Sequence, residues 1–174
     1  MRGFVAGICF FVWVVFPASG FCDPSPFGLE IGKPVTGDLK ARYGGKPVGI
    51  NKYSGGKMQE LDVSKLLFEG LKSALLIEGK DGRLLAVICK LDKSRFNSVL
   101  ESLKVKYKAV SSSIPFVGDK LALFSDGDTE ITLNAPHLSF AMDLAYVHKD
   151  FMKVYKEQSA EEERQKKKGE SSKL

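Results

Sequence analysis

LKSALLIEGKDGRLLAVICKL, residues 71–91, is the stretch on which the fold turns. Two apolar runs, 71–78 and 83–91, flank Lys80, Asp81 and Gly82. Asp-Gly between apolar runs is a strong hairpin signal, because the tight turns that match strand twist need positive φ at their central residues. Such a hairpin needs apolar cover, and the chain supplies it at once. Asp92 is placed to cap a helix. Phe96, Val99, Leu100, Leu103 and Tyr107 then follow the i, i+3, i+4, i+7 rule and give that helix one apolar face.

Downstream, residues 111–118 read as a loop, and residues 120–124 and 129–134 form a second hairpin around Asp126-Gly127. Leu138, Phe140, Met142, Leu144 and Tyr146 then alternate with Ser139, Ala141, Asp143 and Ala145, a period of two that predicts a strand over 138–146. Upstream, residues 27–31 read as a short strand. Val35, Leu39 and Tyr43 lie four apart on one face of a helix over 34–43, which Gly44-Gly45 ends. A strand over 48–53, a turn at Gly55-Gly56 and a weaker strand over 57–67 complete the first half.

The halves look alike. Each runs strand, helix, then about three antiparallel strands, and LKARYG (39–44) in the first echoes LKVKYK (103–108) in the second. The expected fold is α+β: tandem α-β-β-β units in one antiparallel sheet, with the helices on one face and a charged C-terminal helix added. One-sided cover leaves the other sheet face to solvent or to a partner.

The chain opens with Met1 and Arg2, then the apolar run FVAGICFFVWVVF over 4–16, then Pro17 and Ala18-Ser19-Gly20. A short apolar run followed by small-x-small is a secretory signal peptide with its cut before Phe21. The run is shorter than the ~20 apolar residues a membrane span needs. Cys22 follows the cut, but bacterial acylation needs a small residue before the cysteine, and Phe21 is bulky. The expected organisation is a signal over 1–20, one domain over 21–147 and a charged helical or disordered tail over 148–174. The mature protein is expected in the periplasm or secreted, with no stable membrane insertion.

Removal of the signal leaves 25 basic against 21 acidic side chains, interspersed along the chain. A nucleic-acid binder concentrates its basic residues on one face or stripe, so nucleic acid is not an expected partner. Cys22 and Cys89 remain. In an oxidising compartment they are a disulfide candidate, and Cys89 alone reads equally well as a small buried hydrophobe.

Several motifs fall short of a chemistry. Ser54-Gly55-Gly56-Lys57 has the S-x-x-K spacing of serine acyl-enzymes, but two glycines oppose the helix that chemistry needs. Asp126, Asp128 and Glu130 lack the pattern of a calcium loop. His137 and His148, with Asp150 nearby, match no metal spacing. Nothing calls for a cofactor. The least ordinary feature is the loop over 111–118, which carries Ile114, Phe116 and Val117 beside Pro115. Large apolar side chains on a connection most often fold back to close the core; standing outward, they mark a partner-binding surface.

Phe27-Gly28-Leu29-Glu30-Ile31-Gly32 followed by a short helix, with this layout of the body, resembles the opening of small Gram-negative envelope proteins. These are the outer-membrane-assembly lipoproteins of the SmpA/BamE type and the tandem-repeat β-lactamase-inhibitor-like proteins. The resemblance implies a non-enzymatic binding protein whose partner is another envelope protein. The competing expectation is a small secreted enzyme or metal-binding protein using Asp126, Asp128 or His137.

Overall fold

The computed structural model describes residues 23–35 and 37–171. The predicted signal over 1–20 and Cys22 lie outside the described residues, and so does the expected Cys22–Cys89 bridge. The described residues form an α+β fold in which eight strands make one antiparallel sheet. In chain order the elements are α1 (Gly37–Tyr43), β1 (Lys46–Ile50), β2 (Gly55–Glu60), α2 (Val63–Leu66), β3 (Leu71–Gly79), β4 (Leu84–Asp92), α3 (Phe96–Lys106), β5 (Lys108–Ser113), β6 (Lys120–Asp126), β7 (Thr129–Ala135), β8 (Ala141–His148) and α4 (Lys149–Ser171).

The strand order is β1-β2-β3-β4-β8-β7-β6-β5. Each half is therefore a four-stranded meander preceded by a helix, and the meanders meet where β4 pairs with β8, Cys89 opposite Leu144. Corresponding strands of the halves run antiparallel, the arrangement a two-fold axis normal to the sheet generates. The second half holds one strand more than its sequence predicts, because residues 108–113 extend as β5. This strand is exposed along its whole length, so KAVSSS carries no alternation and its serines read as loop.

Residues 27–31 also differ from expectation. Pro26 to Gly28 make a 3-10 turn with Phe27 at φ 56°, and the segment joins no strand ladder. Pro24 and Pro26 remove backbone donors that a ladder would need. Leu29 and Ile31 are still buried, the chain crossing the core without pairing. In the first half, the expected weak strand ends at Glu60. Asp62 then caps α2, its carboxylate accepting from the Ser64 N–H at 3.1 Å.

One sheet face carries the main core. Leu76, Val87, Cys89, Leu91, Phe124, Ile131, Leu133, Met142 and Leu144 meet the apolar face of α3 (Phe96, Val99, Leu100, Leu103) and the N-terminal Leu29 and Ile31. The opposite face is covered at one end by α4, whose Phe151 joins Ile77, Leu85, Ala86 and Val147. Tyr155 packs edge-on against Tyr53 with centroids 5.0 Å apart. Beyond it, a Glu162–Lys52 ion pair at 2.7 Å is exposed on both sides, a setting in which such pairs contribute about 0–1 kcal/mol. Truncation after Gln158 should therefore lower the melting temperature by no more than about 3 °C, as read by circular dichroism. A much larger fall would mean that the distal helix supports the body.

Candidate functional site

β6 and β8 begin, and β5 and β7 end, at one end of the sheet, so the β5–β6 loop (114–119) and the β7–β8 loop (136–140) are neighbours there. They are tied to each other. The Gly118 N–H donates to His137 Nδ1 at 3.3 Å, and the His137 N–H donates to Asp119 Oδ1 at 2.6 Å. Lys93, arriving from the end of β4, fastens the second loop. Its Nζ donates to the His137 carbonyl at 2.9 Å and to the Pro136 carbonyl, and its N–H donates to the Phe140 carbonyl at 3.0 Å.

The polar groups of these loops bond to one another, with His137 and Asp119 themselves exposed, and the large apolar side chains are exposed beside them. Phe116 is fully exposed at 102%, Leu138 at 94% and Phe140 at 90%. Val117 and Ile114 are exposed beside them. Core closure by this loop, the commoner outcome, does not occur. The loop residues singled out in the sequence, Ile114, Phe116 and Val117, are exposed at the same end of the sheet as Leu138 and Phe140, an apolar tip.

Those last two depart from expectation. The alternation over 138–146 puts Leu138 and Phe140 on the buried face of a strand, but β8 starts only at Ala141. Pro136 and the carbonyl bonds to Lys93 hold the preceding residues in a turn, so they leave the ladder before their side chains reach the core. Proline two residues before an apolar pair, at a predicted strand start, is the signal that could have flagged them. Each side chain so exposed forgoes roughly 1.5–3 kcal/mol of burial. Large apolar side chains left exposed together at one end of a domain, among polar ones, are how interaction sites present themselves. Lys93, Lys120, Asp119 and His137 are the polar ones here.

The residues of the competing expectation are set far apart. Asp126 and Asp128 lie at the β6–β7 turn, with β7 between them and His137, about 24 Å at strand rise. Asp128 is engaged by Lys149 at 2.5 Å, which holds its carboxyl below the usual carboxylate range. His148 is buried at the far end of β8 from His137, with Nδ1 accepting from the Asp150 N–H at 3.2 Å. No group of three or more metal-ligating side chains occurs among the described residues. Ser54 of the S-x-x-K sequence sits in a turn, donating to the Glu78 carbonyl at 2.7 Å, and Lys57 follows in a strand.

A concavity lies under α3. It is a cleft of about 330 Å³ between the N-terminal turn, the residues just before β3, α3 and the main sheet face. Cys89 lines it, buried in apolar surroundings that push its thiol up to about 12. The native thiol thus stays protonated where the unfolded one, titrating near 9, ionises. Stability is fully present below pH 9 and falls as pH rises toward 12, by up to about 1.4 kcal/mol per pH unit. Tyr146 is raised by burial as well and acts in the same direction. Urea unfolding between pH 7.5 and 10 should show this decline, shallower in Cys89→Ala; equal slopes would contradict it.

No helix among the described residues is long and apolar enough to cross a membrane. No family model, curated protein or solved structure matches the chain.

Proposed function

We propose that this protein is an exported, non-enzymatic binding module that docks a partner protein of the cell envelope through its apolar tip. Export rests on the signal sequence over 1–20, with the mature chain periplasmic or secreted. The observation that carries the reading is the exposure of Phe116, Leu138 and Phe140 on two loops cross-tied by His137, Asp119 and Lys93. Aromatic side chains fixed in advance make good contact anchors, because little rotamer and loop freedom is lost on association. Pro115 restricts the first loop further.

Photo-cross-linking in the native host tests the reading. A photoreactive residue at position 116 should give one discrete protein adduct, and the same residue at Glu101, exposed on α3, should not. Identical adduct patterns from both positions, or none from 116, would contradict it.

A further inference from the structure

Phe27 and Leu67 are the non-glycine residues with positive φ among the described residues, at 56° and 48°. Large side chains rarely adopt this region, because Cβ crowds the backbone there. Glycine or asparagine normally takes the left-handed position that closes a helix. At the end of α2 that position holds Leu67, with its side chain 91% exposed. What the two conformations do is place two rings. Phe27 and Phe68, the residue after Leu67, meet edge to face with centroids 6.1 Å apart, and both line the cleft under α3. The Tyr43 hydroxyl donates to the Phe27 carbonyl at 3.0 Å and pins the first of them. Strained backbone held by its surroundings is concentrated at ligand clamps and active sites.

The cleft is long and narrow. Arg95, Ser98, Val99, Ser102, Leu103 and Lys106 line it as one stripe over three turns of α3, a length of about 16 Å by helix rise. The phenylalanine pair belongs to the Arg95 end, since Arg95 pairs with Glu69, the residue after Phe68. At the other end Tyr107 meets Tyr146 edge-on at 6.1 Å. The floor between is apolar, with Cys89 and Leu91 of β4 and Leu144 of β8. No carboxylate lines the cleft. Its two cations are engaged: the Arg95 guanidinium with Glu69 at 2.8 Å, and the exposed Lys106 ammonium over the Tyr107 ring at 5.2 Å. The volume of about 330 Å³ falls in the range of small-molecule sites, and such sites are walled mainly by apolar and aromatic groups.

We propose that the cleft binds an uncharged, single-chain aliphatic molecule, laid along α3 between the phenylalanine pair and the tyrosine pair. The apolar floor and walls select the chain, and the elongated shape selects against a compact ring or cage of the same size. A charged head group would give up its hydration here and find no free counter-charge, which disfavours it. At roughly 30 Å³ per water-sized group, the space holds a chain of about ten carbons. This site is separate from the apolar tip and does not depend on it.

Isothermal titration of the mature chain (residues 21–174) with four probes tests the proposal: decan-1-ol, decanoate, decyltrimethylammonium and 1-adamantanol, a compact cage with the carbon count of decanol. Decanol should bind with one site per chain, at least tenfold tighter than each of the other three. Phe27→Ala, which removes one ring of the wall, should weaken decanol about tenfold. Ser102→Trp, which places bulk in the cleft from the exposed side of α3, should abolish decanol binding, with circular dichroism confirming the fold. Ser98→Trp, one turn earlier on the same stripe and also exposed, makes the same test if the first variant fails to fold. No saturable heat with decanol would overturn the proposal. So would 1-adamantanol or either charged probe binding as tightly as decanol, or decanol binding indifferent to Phe27→Ala and to the tryptophan variants.

Discussion

Replacing Phe116, Leu138 and Phe140 together with alanine should weaken partner capture at least a hundredfold. Central aromatic anchors of an interface cost about 2 kcal/mol or more each on truncation, and a hundredfold loss needs only about 2.7 kcal/mol in all. The expectation is therefore conservative for two phenylalanines and a leucine that are almost wholly exposed. The framework beneath them is made of backbone groups with His137, Asp119 and Lys93, none of which the substitutions touch. The loops should keep their shape while losing their contact chemistry. The measurement is affinity for the partner identified by cross-linking at position 116, by surface plasmon resonance. A loss below about fivefold would mean that the tip lies outside the interface.

Gly56→Ala should destabilise the domain by about 3 kcal/mol or more, the upper end of what overpacking costs. A Cβ built at Gly56 falls 2.0 Å from the Glu78 carbonyl oxygen and 2.5 Å from the Gly79 carbonyl carbon. These are backbone atoms of the neighbouring strand and cannot swing aside as a side chain can. Relief requires β2 to move off β3, and the β2–β3 register already shifts between Gly55 and Met58. Ser54, bonded to the Glu78 carbonyl, would lose its anchor as well. The melting temperature should fall by roughly 10 °C or more. Gly169→Ala is the control: nothing lies within 4 Å of its built Cβ, and alanine in an exposed helix is neutral or stabilising. A Gly56→Ala melt equal to that of Gly169→Ala would contradict the close approach of β2 and β3.

The contrast at Gly56 shows where sequence patterns carry structural information. Gly55-Gly56 reads as a turn, since glycine marks turns on local grounds. Gly55 bears this out, at φ 63° where the turn enters β2. Gly56 is glycine for a long-range reason, the approach of a backbone more than twenty residues away, and no local pattern encodes that. The central hairpin, β3 with β4, was legible because its strands are apolar on both faces and Asp81-Gly82 marks the turn. Helix α3 was legible from its single buried stripe. Edge strand β5 was not, because a strand that buries no side chain leaves no periodicity to read.

The candidate site was half legible for related reasons. An apolar loop stands out against the usual polarity of loops, so Ile114, Phe116 and Val117 were visible. Whether such side chains turn in or out depends on hydrogen bonds made by distant residues, here His137 and Lys93, and sequence order does not reveal those. Leu138 and Phe140 were masked by a true alternation that continues into β8. Period two gives the face of each residue and not the point at which the sheet stops.

The melting temperature of the triple alanine variant at Phe116, Leu138 and Phe140 tests most directly whether these side chains serve contact and not the core. The value should lie within about 3 °C of the parent, since exposed side chains contribute little to folding. Were they closing the core, each phenylalanine would cost about 3–5 kcal/mol. The combined fall would then exceed roughly 15 °C for a domain of this size, and that result would place the three side chains in the core and not at a contact surface.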